Sequence, residues 1–221
     1  MKLLIINPNS DVAMTRAILS SATQFAGGEF DVDCLPTPSA PPFIDTYSDT
    51  ASAMPGMVRL LRQHEAEYDG FVVACHCDPN LDLMKETTDK PMVGIGEASM
   101  KMATMLGHRF SVISTDPRSV PNKEALIRSY HLEGLLASVR YPAAASAARN
   151  EDERYLQTAR AAVEEDFAEV IVLGCAGLTG LDKRLQSELG VPVLDGVICA
   201  LIIAAGLVRY QVSTSKIRRY R

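Results

Sequence analysis

The chain repeats itself, and that repeat narrows its possible folds more than any other feature. Asp69-Gly70-Phe71-Val72-Val73-Ala74-Cys75 reads like Glu169-Val170-Ile171-Val172-Leu173-Gly174-Cys175, an apolar run ended each time by a cysteine. Downstream, Pro91-Met92-Val93-Gly94-Ile95 recurs as Pro192-Val193-Leu194-Asp195-Gly196, and Leu4-Ile5-Ile6-Asn7-Pro8-Asn9-Ser10 recurs as Phe110-Ser111-Val112-Ile113-Ser114-Thr115-Asp116. A period of about a hundred residues is the size of a domain and far longer than a solenoid repeat, so the pattern is a duplication.

Within each half, short runs rich in Val, Ile and Leu alternate with segments of helical period, the signature of parallel strands joined by helices. Strands are expected at Leu3 to Ile6, Phe30 to Leu35, Phe71 to Ala74, Met92 to Ile95, Phe110 to Ser114, Val170 to Leu173 and Val193 to Leu194. Helices fit between them, for example over Asp11 to Gln24, Met54 to Ala66, Val120 to Tyr130, Asp152 to Asp166 and Gly196 to Arg209, the first capped by Ser10 or Asp11. The fold class is therefore α/β: two similar domains with parallel sheets flanked by helices, related by a pseudo-twofold, with the active site between them. The first domain takes residues 1–95 plus 197–221, and the second takes 96–196. Open α/β sheets bind ligands at the carboxyl ends of their strands, which is where Cys75 and Cys175 fall.

Of 221 residues, 47% are hydrophobic and 22% charged, with a net charge of -5. An acidic balance gives no electrostatic basis for a nucleic-acid partner. The one basic cluster, Lys216 to Arg221, reads as a solvated and frayed terminus. No export signal opens the sequence, and the apolar stretch Val197 to Val208 is shorter than the roughly 20 residues a membrane span needs, so a cytoplasmic location with no membrane partner is expected. Five cysteines, an odd number in such a setting, then read as free thiols. Cys34 and Cys199 lie within strand and helix patterns and read as core.

Two thiols facing one carbon can racemise it without a cofactor. One removes a proton from one face as thiolate, the other returns a proton to the opposite face as thiol, and a free Cys titrates near about 8.5, lower at a helix N-terminus. Cys75 before Asp78-Pro79 and Cys175 before Ala176-Gly177 both read as helix entries. The anion formed needs donors, and the amides of the turns after each cysteine, together with the loops Asn7 to Ser10 and Ser114-Thr115, are the candidates. Gly94-Ile95-Gly96-Glu97 lacks the third glycine of a dinucleotide fingerprint and reads as a strand-to-helix turn.

Ile5-Ile6-Asn7-Pro8-Asn9-Ser10, Ala74-Cys75 with Asp78-Pro79, Gly94-Ile95-Gly96-Glu97-Ala98 and Leu173-Gly174-Cys175-Ala176-Gly177, taken in order across nearly the whole chain, resemble the hydantoin/allantoin racemase family of the aspartate/glutamate racemase superfamily. The resemblance implies an isomerase of two α/β domains that needs no cofactor, forms homo-oligomers and acts on a small molecule, a hydantoin or allantoin. It implies catalytic roles for Cys75 and Cys175, and a substrate pocket drawn from Asn9, the Phe43-Ile44 loop, His76, Ser114, Thr115, Ala176 and Gly177. Members of the family commonly carry Phe-Gly after the first cysteine, where this chain has His76-Cys77. That departure bears on which substrate is used, and His76 reads equally as a substrate contact or as a buried histidine bonded to backbone.

Two other activities of the superfamily stay open, amino-acid racemisation and cis-trans isomerisation of the maleate isomerase type. The superfamily's amino-acid racemases usually carry Asn-Thr after the first cysteine and Thr-His or Thr-Glu after the second, unlike this chain, and its arylmalonate decarboxylases keep only one cysteine. Maleate isomerases keep two, and there one adds to a double bond. From another class, Cys75, His76 and Cys77 could serve a metal. Adjacent strand positions point to opposite faces, and no second Cys/His pair lies at zinc spacing, so no metal is expected. Loss of optical rotation of an enantiopure 5-substituted hydantoin is accordingly expected to proceed unchanged in EDTA, whereas activity lost in EDTA and restored by zinc would turn the reading toward the metal.

Overall fold

The computed structural model describes residues 1–143 and 150–220. The chain divides into two compact units, Met1–Ile95 with Val197–Arg221, and Gly96–Gly196. The first unit holds β1 (Lys2–Asn7), α1 (Val12–Ala26), β2 (Asp31–Pro36), α2 (Tyr47–His64), β3 (Gly70–Val73), α3 (Leu81–Thr87) and β4 (Met92–Gly94). The chain then runs through α4 (Ile95–Leu106) into β5 (Phe110–Ile113), α5 (Ser119–Ser129), β6 (Leu136–Arg140), α6 (Glu151–Glu164), β7 (Val170–Leu173), α7 (Asp182–Leu189) and β8 (Val193–Leu194). Last comes α8 (Gly196–Tyr210), which belongs to the first unit from Val197 onward.

Each unit is built on a four-stranded sheet, in the order β2-β1-β3-β4 in one and β6-β5-β7-β8 in the other, and every pairing is parallel. β3, β5 and β7 are buried along their whole length, as expected of strands covered by helices on both faces. Side chains alternate between faces, so Val170 and Val172 enter one apolar cluster with Met100, Phe110 and Ile127, while Ile171 and Leu173 enter another with Tyr155, Ala159 and Leu185.

The repeat is visible bond by bond. Asp69 N donates to Lys2 O at 2.8 Å and Glu169 N to Arg109 O at 2.9 Å; Phe71 N donates to Pro91 O at 2.8 Å and Ile171 N to Pro192 O at 2.9 Å. At the strand ends, Ala74 N donates to Ile6 O at 2.9 Å and Gly174 N to Ile113 O at 2.8 Å. One backbone plan has therefore been built twice from different side chains.

Helix limits follow their caps. Asp11 receives the N–H groups of Ala13 and Met14, and Gly27, at φ 53°, closes α1 by donating to Thr23 O. The sequence places the start of the second helix at Met54, which would set Pro55 in the first turn. The helix in fact begins at Tyr47, because Thr46 and Asp49 form a capping box, Asp49 N on Thr46 Oγ1 at 3.1 Å and Thr46 N on Asp49 Oδ2 at 2.9 Å. Pro55 is then interior, on the exposed side away from the buried Ala53, Met57 and Leu60. β6, for which no strand was expected, is an edge strand whose residues are all half-buried; its Ser138 pairs with Ser111 Oγ at 2.8 Å.

The basic tail is not frayed over its described part. Lys216 Nζ donates to Lys85 O and Glu86 O at 2.6 and 3.1 Å, and Arg219 and Tyr220 meet the Asp82 carboxylate at 2.6 and 2.8 Å. The carbonyls at the end of α3 and an acidic side chain in its first turn supply the acceptors that a run of cations seeks. Among the described residues, no helix is long and apolar enough to cross a membrane.

The close pairing of β5 and β7 leaves no room beyond a glycine where β7 ends. A Cβ at Gly174 would lie 2.7 Å from Ile113 O and 2.9 Å from Val112 Cγ1, whereas the corresponding residue of the first unit is already an alanine, Ala74. Gly174→Ala is expected to destabilise the protein by ~1–3 kcal/mol, read as a lowered urea midpoint at an unchanged slope.

Candidate active site

Because each sheet is parallel, its loops at the carboxyl ends of the strands gather along one edge. In the first unit these are the segments after Asn7, after Pro36, from Ala74 to Asn80 and at Gly94; in the second they are the segments after Ile113, from Gly174 to Leu181 and at Asp195. Both cysteines lie in such segments, directly beyond the bonds that anchor Ala74 and Gly174 to the neighbouring strand.

Cys75 is half-buried against the cluster that includes Leu4, Ile6, Ala53, Met57 and Val73. Its carbonyl accepts from Asp78 N at 2.9 Å, and Asp78 O from Leu81 N at 3.2 Å, so the chain turns twice before α3 begins. Asp78 and Asn80 adopt φ of 45° and 58°, in the left-handed region that most side chains avoid, and Asn80 is held there by Nδ2 donating to Thr50 O at 2.8 Å. The expected helix entry at Cys75 is thus absent. α3 starts only at Leu81, after a left-handed Asn80 that makes no side-chain cap, and its dipole is displaced from the thiol.

At Cys175 the expected entry exists in its shortest form. Leu178 N donates to Cys175 O at 3.1 Å, closing a single 3-10 turn over Ala176–Leu178, and the Cys175 Sγ receives the Gly177 N–H at 3.4 Å as the side-chain cap. A hydrogen bond from a backbone amide favours the charged form of its acceptor, which for this thiol is the thiolate.

Both turns are braced by a carboxylate, in opposite senses. Asp78 reaches across so closely to Gly94 that a Cβ there would meet Asp78 Oδ1 at 2.3 Å and Leu81 Cδ2 at 2.7 Å. In the second unit the carboxylate comes from the strand end: Asp195 Oδ2 accepts Thr179 Oγ1 at 2.5 Å and Gly180 N at 3.1 Å. Gly94, Asp78 and Asp195 went unassigned in the sequence, although Gly94 and Asp195 stand at matching places in the repeat.

The other expected site residues divide into several kinds. Asn9 is buried in the loop after β1, its Oδ1 accepting from Asn7 Nδ2 at 2.8 Å and Asp11 N at 3.0 Å and its Nδ2 facing Met14 Sδ at 3.3 Å, so it shapes that loop. Ile44 packs in the same cluster as Cys75, while its neighbour Phe43 is exposed. Ser114 is buried and bonded to Ser119, with its N–H on Arg140 O at 2.7 Å. Thr115 is half-buried, its hydroxyl toward Asp116 Oδ2 at 3.3 Å. Ala176 is buried, Gly177 is exposed, and His76 is almost wholly buried at 1% exposure.

Of the remaining thiols, Cys34 and Cys199 are buried. Burial, assisted by the Asp33 charge, pushes the Cys34 thiol up to about 12, so it is neutral and unreactive at physiological pH. Among the described residues, no three His, Cys, Asp or Glu side chains are grouped so as to hold a metal ion.

A family described as Asp/Glu/Hydantoin racemase matches residues 3–204. The chain is 37% identical to a hydantoin racemase of Pseudomonas sp. (strain NS671), covering all of this chain and 91% of that protein. It is 37% identical to a hydantoin racemase of Paenarthrobacter aurescens, covering all of this chain and 97% of that protein. The solved structure of an allantoin racemase from Klebsiella pneumoniae superposes with a TM-score of 0.93 at 32% identity, over all of this chain and 92% of that one.

The contact between Asp78 and Gly94 makes a direct test of how the Cys75 turn is held. Gly94→Ala must push Asp78 and Leu81 aside, and hydrogen exchange of the amides from Cys75 to Leu81 is expected to speed up by about tenfold or more while the Gly177 amide is unaffected. Unchanged exchange at 75–81 would show that the turn holds itself without Gly94.

Proposed function

The chain belongs to the Asp/Glu/Hydantoin racemase family and is an isomerase of the racemase type, and on that premise we propose that it interconverts the enantiomers of a 5-substituted hydantoin or of allantoin by two-base proton transfer between Cys75 and Cys175. The observation that carries this reading is the pairing of 37% identity to hydantoin racemases over the whole chain with two thiols at corresponding places in a duplicated fold. The proposed catalyst is a homo-oligomer working in the cytoplasm, with no cofactor in its cycle.

The chemistry asks little of the protein beyond placement. The C5 hydrogen of a hydantoin is acidified by the adjacent C4 carbonyl, so its removal puts negative charge on O4 as an enolate. One thiolate takes that proton and becomes a thiol; the other thiol gives its proton to the opposite face and becomes a thiolate. The enzyme ends each turnover charged for the reverse direction. Cys175, with the Gly177 amide on its sulfur, is the proposed resting thiolate, and Cys75 the proposed resting thiol. Stabilisation of O4 falls to backbone amides and neutral donors around the two turns. His76-Cys77, in place of the family's Phe-Gly, is the proposed source of any difference in preference among 5-substituents.

Removing either thiol leaves one enantiomer without a base and the other without an acid. Cys75→Ser and Cys175→Ser are each expected to lower racemisation by about 10²- to 10⁴-fold or more, the range a positioned acid or base contributes. The thiolate that survives can still exchange a proton on the face it meets. In deuterium oxide, one variant should therefore exchange the C5 hydrogen of the L-substrate without inversion and the other that of the D-substrate, followed by proton NMR and corrected for spontaneous exchange. Full racemisation by either variant, or exchange of the same enantiomer by both, would overturn the two-base assignment.

A further inference from the structure

The apolar cluster against which Cys175 packs includes a tyrosine. Tyr155 lies early in α6, with Ala159 and Ala162 following it along the buried face of that helix. α6 connects the carboxyl end of β6 to the start of β7, so its first turns lie at the carboxyl edge of the sheet, level with Cys175 after β7 and Asp116 after β5. Tyr155 is only 5% exposed, yet its hydroxyl makes no hydrogen bond to a described residue. Nor is the oxygen sealed away: among the described residues, the side-chain nitrogen or oxygen that is closed to solvent without a partner is Arg154 Nε. Buried tyrosines ordinarily spend their hydroxyl on a protein partner, and this one is left open toward the sheet edge.

The groups within electrostatic reach of this phenol come from three elements. Desolvation comes first among the causes that push Tyr155 up to about 12, followed by Glu151 on its own helix and by Cys175, with Arg154 opposing and Asp116 adding. At neutral pH it is therefore always an O–H donor and never a phenolate. A neutral donor at the edge of the sheet, within reach of a reactive thiol and with nothing yet to donate to, is suited to an oxygen on which negative charge grows.

We propose that Tyr155 is a substrate-contacting residue, its hydroxyl donating to the O4 oxygen of the hydantoin as the proton leaves C5. The inference rests on the reading of Cys175 as one of two catalytic thiols. No bond to Tyr155 is made or broken; the phenol keeps its proton throughout and gains a shorter hydrogen bond as O4 becomes an enolate.

The test is a cycle that alters one atom on each side of the contact. Tyr155→Phe keeps the ring that packs in the cluster and removes only the hydroxyl, and a 4-thiohydantoin of the same 5-substituent replaces O4 by a sulfur that accepts hydrogen bonds poorly. Wild type and variant are assayed on both by loss of optical rotation. With the oxygen substrate, Tyr155→Phe is expected to lower kcat/KM by about a hundredfold; with the thio substrate the same substitution should cost less than about threefold, because the contact is already gone. An equal loss on both substrates would mean that the ring supports the fold or the thiol, and no loss on either would mean that the hydroxyl is idle; both results overturn the proposal. If wild type fails to racemise the hydantoin at all, the functional reading falls and this inference with it, whereas an active wild type with an uncoupled cycle removes only the role of Tyr155.

Discussion

Everything in the candidate site hangs on one backbone bond in each sheet, Ala74 N to Ile6 O in the first and Gly174 N to Ile113 O in the second. Each is the last rung between two parallel strands, buried throughout apart from Lys2 at the start of β1, and each fixes where the chain leaves the sheet. The next residue is a cysteine both times. A parallel rung is insensitive to the side chains flanking it, so the two units could diverge in nearly every other residue while keeping a thiol one position beyond the same bond. The cost of that tight exit shows in the second unit, where Gly174 is forced by the nearness of Ile113 O. Further out the duplication relaxes, and the two turns were free to become different.

They have become different in backbone and in bracing. After Cys75 the chain makes a double turn with two non-glycine residues at positive φ, braced by Asp78 against Gly94, and α3 behind it is tied down by the C-terminal tail through Lys216 and Arg219. After Cys175 it makes a single 3-10 turn that aims the Gly177 N–H at the sulfur, braced by Asp195 from the strand end. Left-handed Asp and Asn residues persist only where surroundings hold them, which makes the Cys75 turn the more strained of the two.

The sheets, the parallel connections and the duplicated strand ends were legible because burial on two faces leaves continuous apolar runs, and because a repeat needs no knowledge of partners to be seen. Side-chain chemistry at element ends was harder. The capping box of Thr46 and Asp49 lies upstream of Pro55, and proline's strong local preference drew the expected start of α2 to the wrong place. β6 escaped notice because an edge strand with Ser138 and Arg140 carries no apolar run. The basic tail looked solvated because its acceptors, two carbonyls of α3 and Asp82, are distant in sequence. Cys75 looked like a helix entry because Asp78-Pro79 commonly starts one, and only the left-handed backbone at Asp78 and Asn80 shows why it does not here. Ile44 carried no local sign that its side chain turns into the core while Phe43 turns out.

Tyr155 shows a limit of another kind. On a helix with buried positions at Tyr155, Ala159 and Ala162, a tyrosine reads as one more apolar side chain, and its period gives no hint that its hydroxyl lacks a partner. What separates a packing tyrosine from a functional one is the account of its single O–H, which can be drawn up only when the neighbours are known. The same account separates the cysteines. Cys34 and Cys175 are equally free in the sequence, yet burial holds one as a neutral thiol while the other meets a backbone amide at a half-open strand end. On the proposed reading, reactivity in this fold is a property of exit points from the sheet. The residue types that can act are spread along the chain, and in each unit the carboxyl edge of the parallel sheet selects which of them stand where open α/β sheets bind ligands.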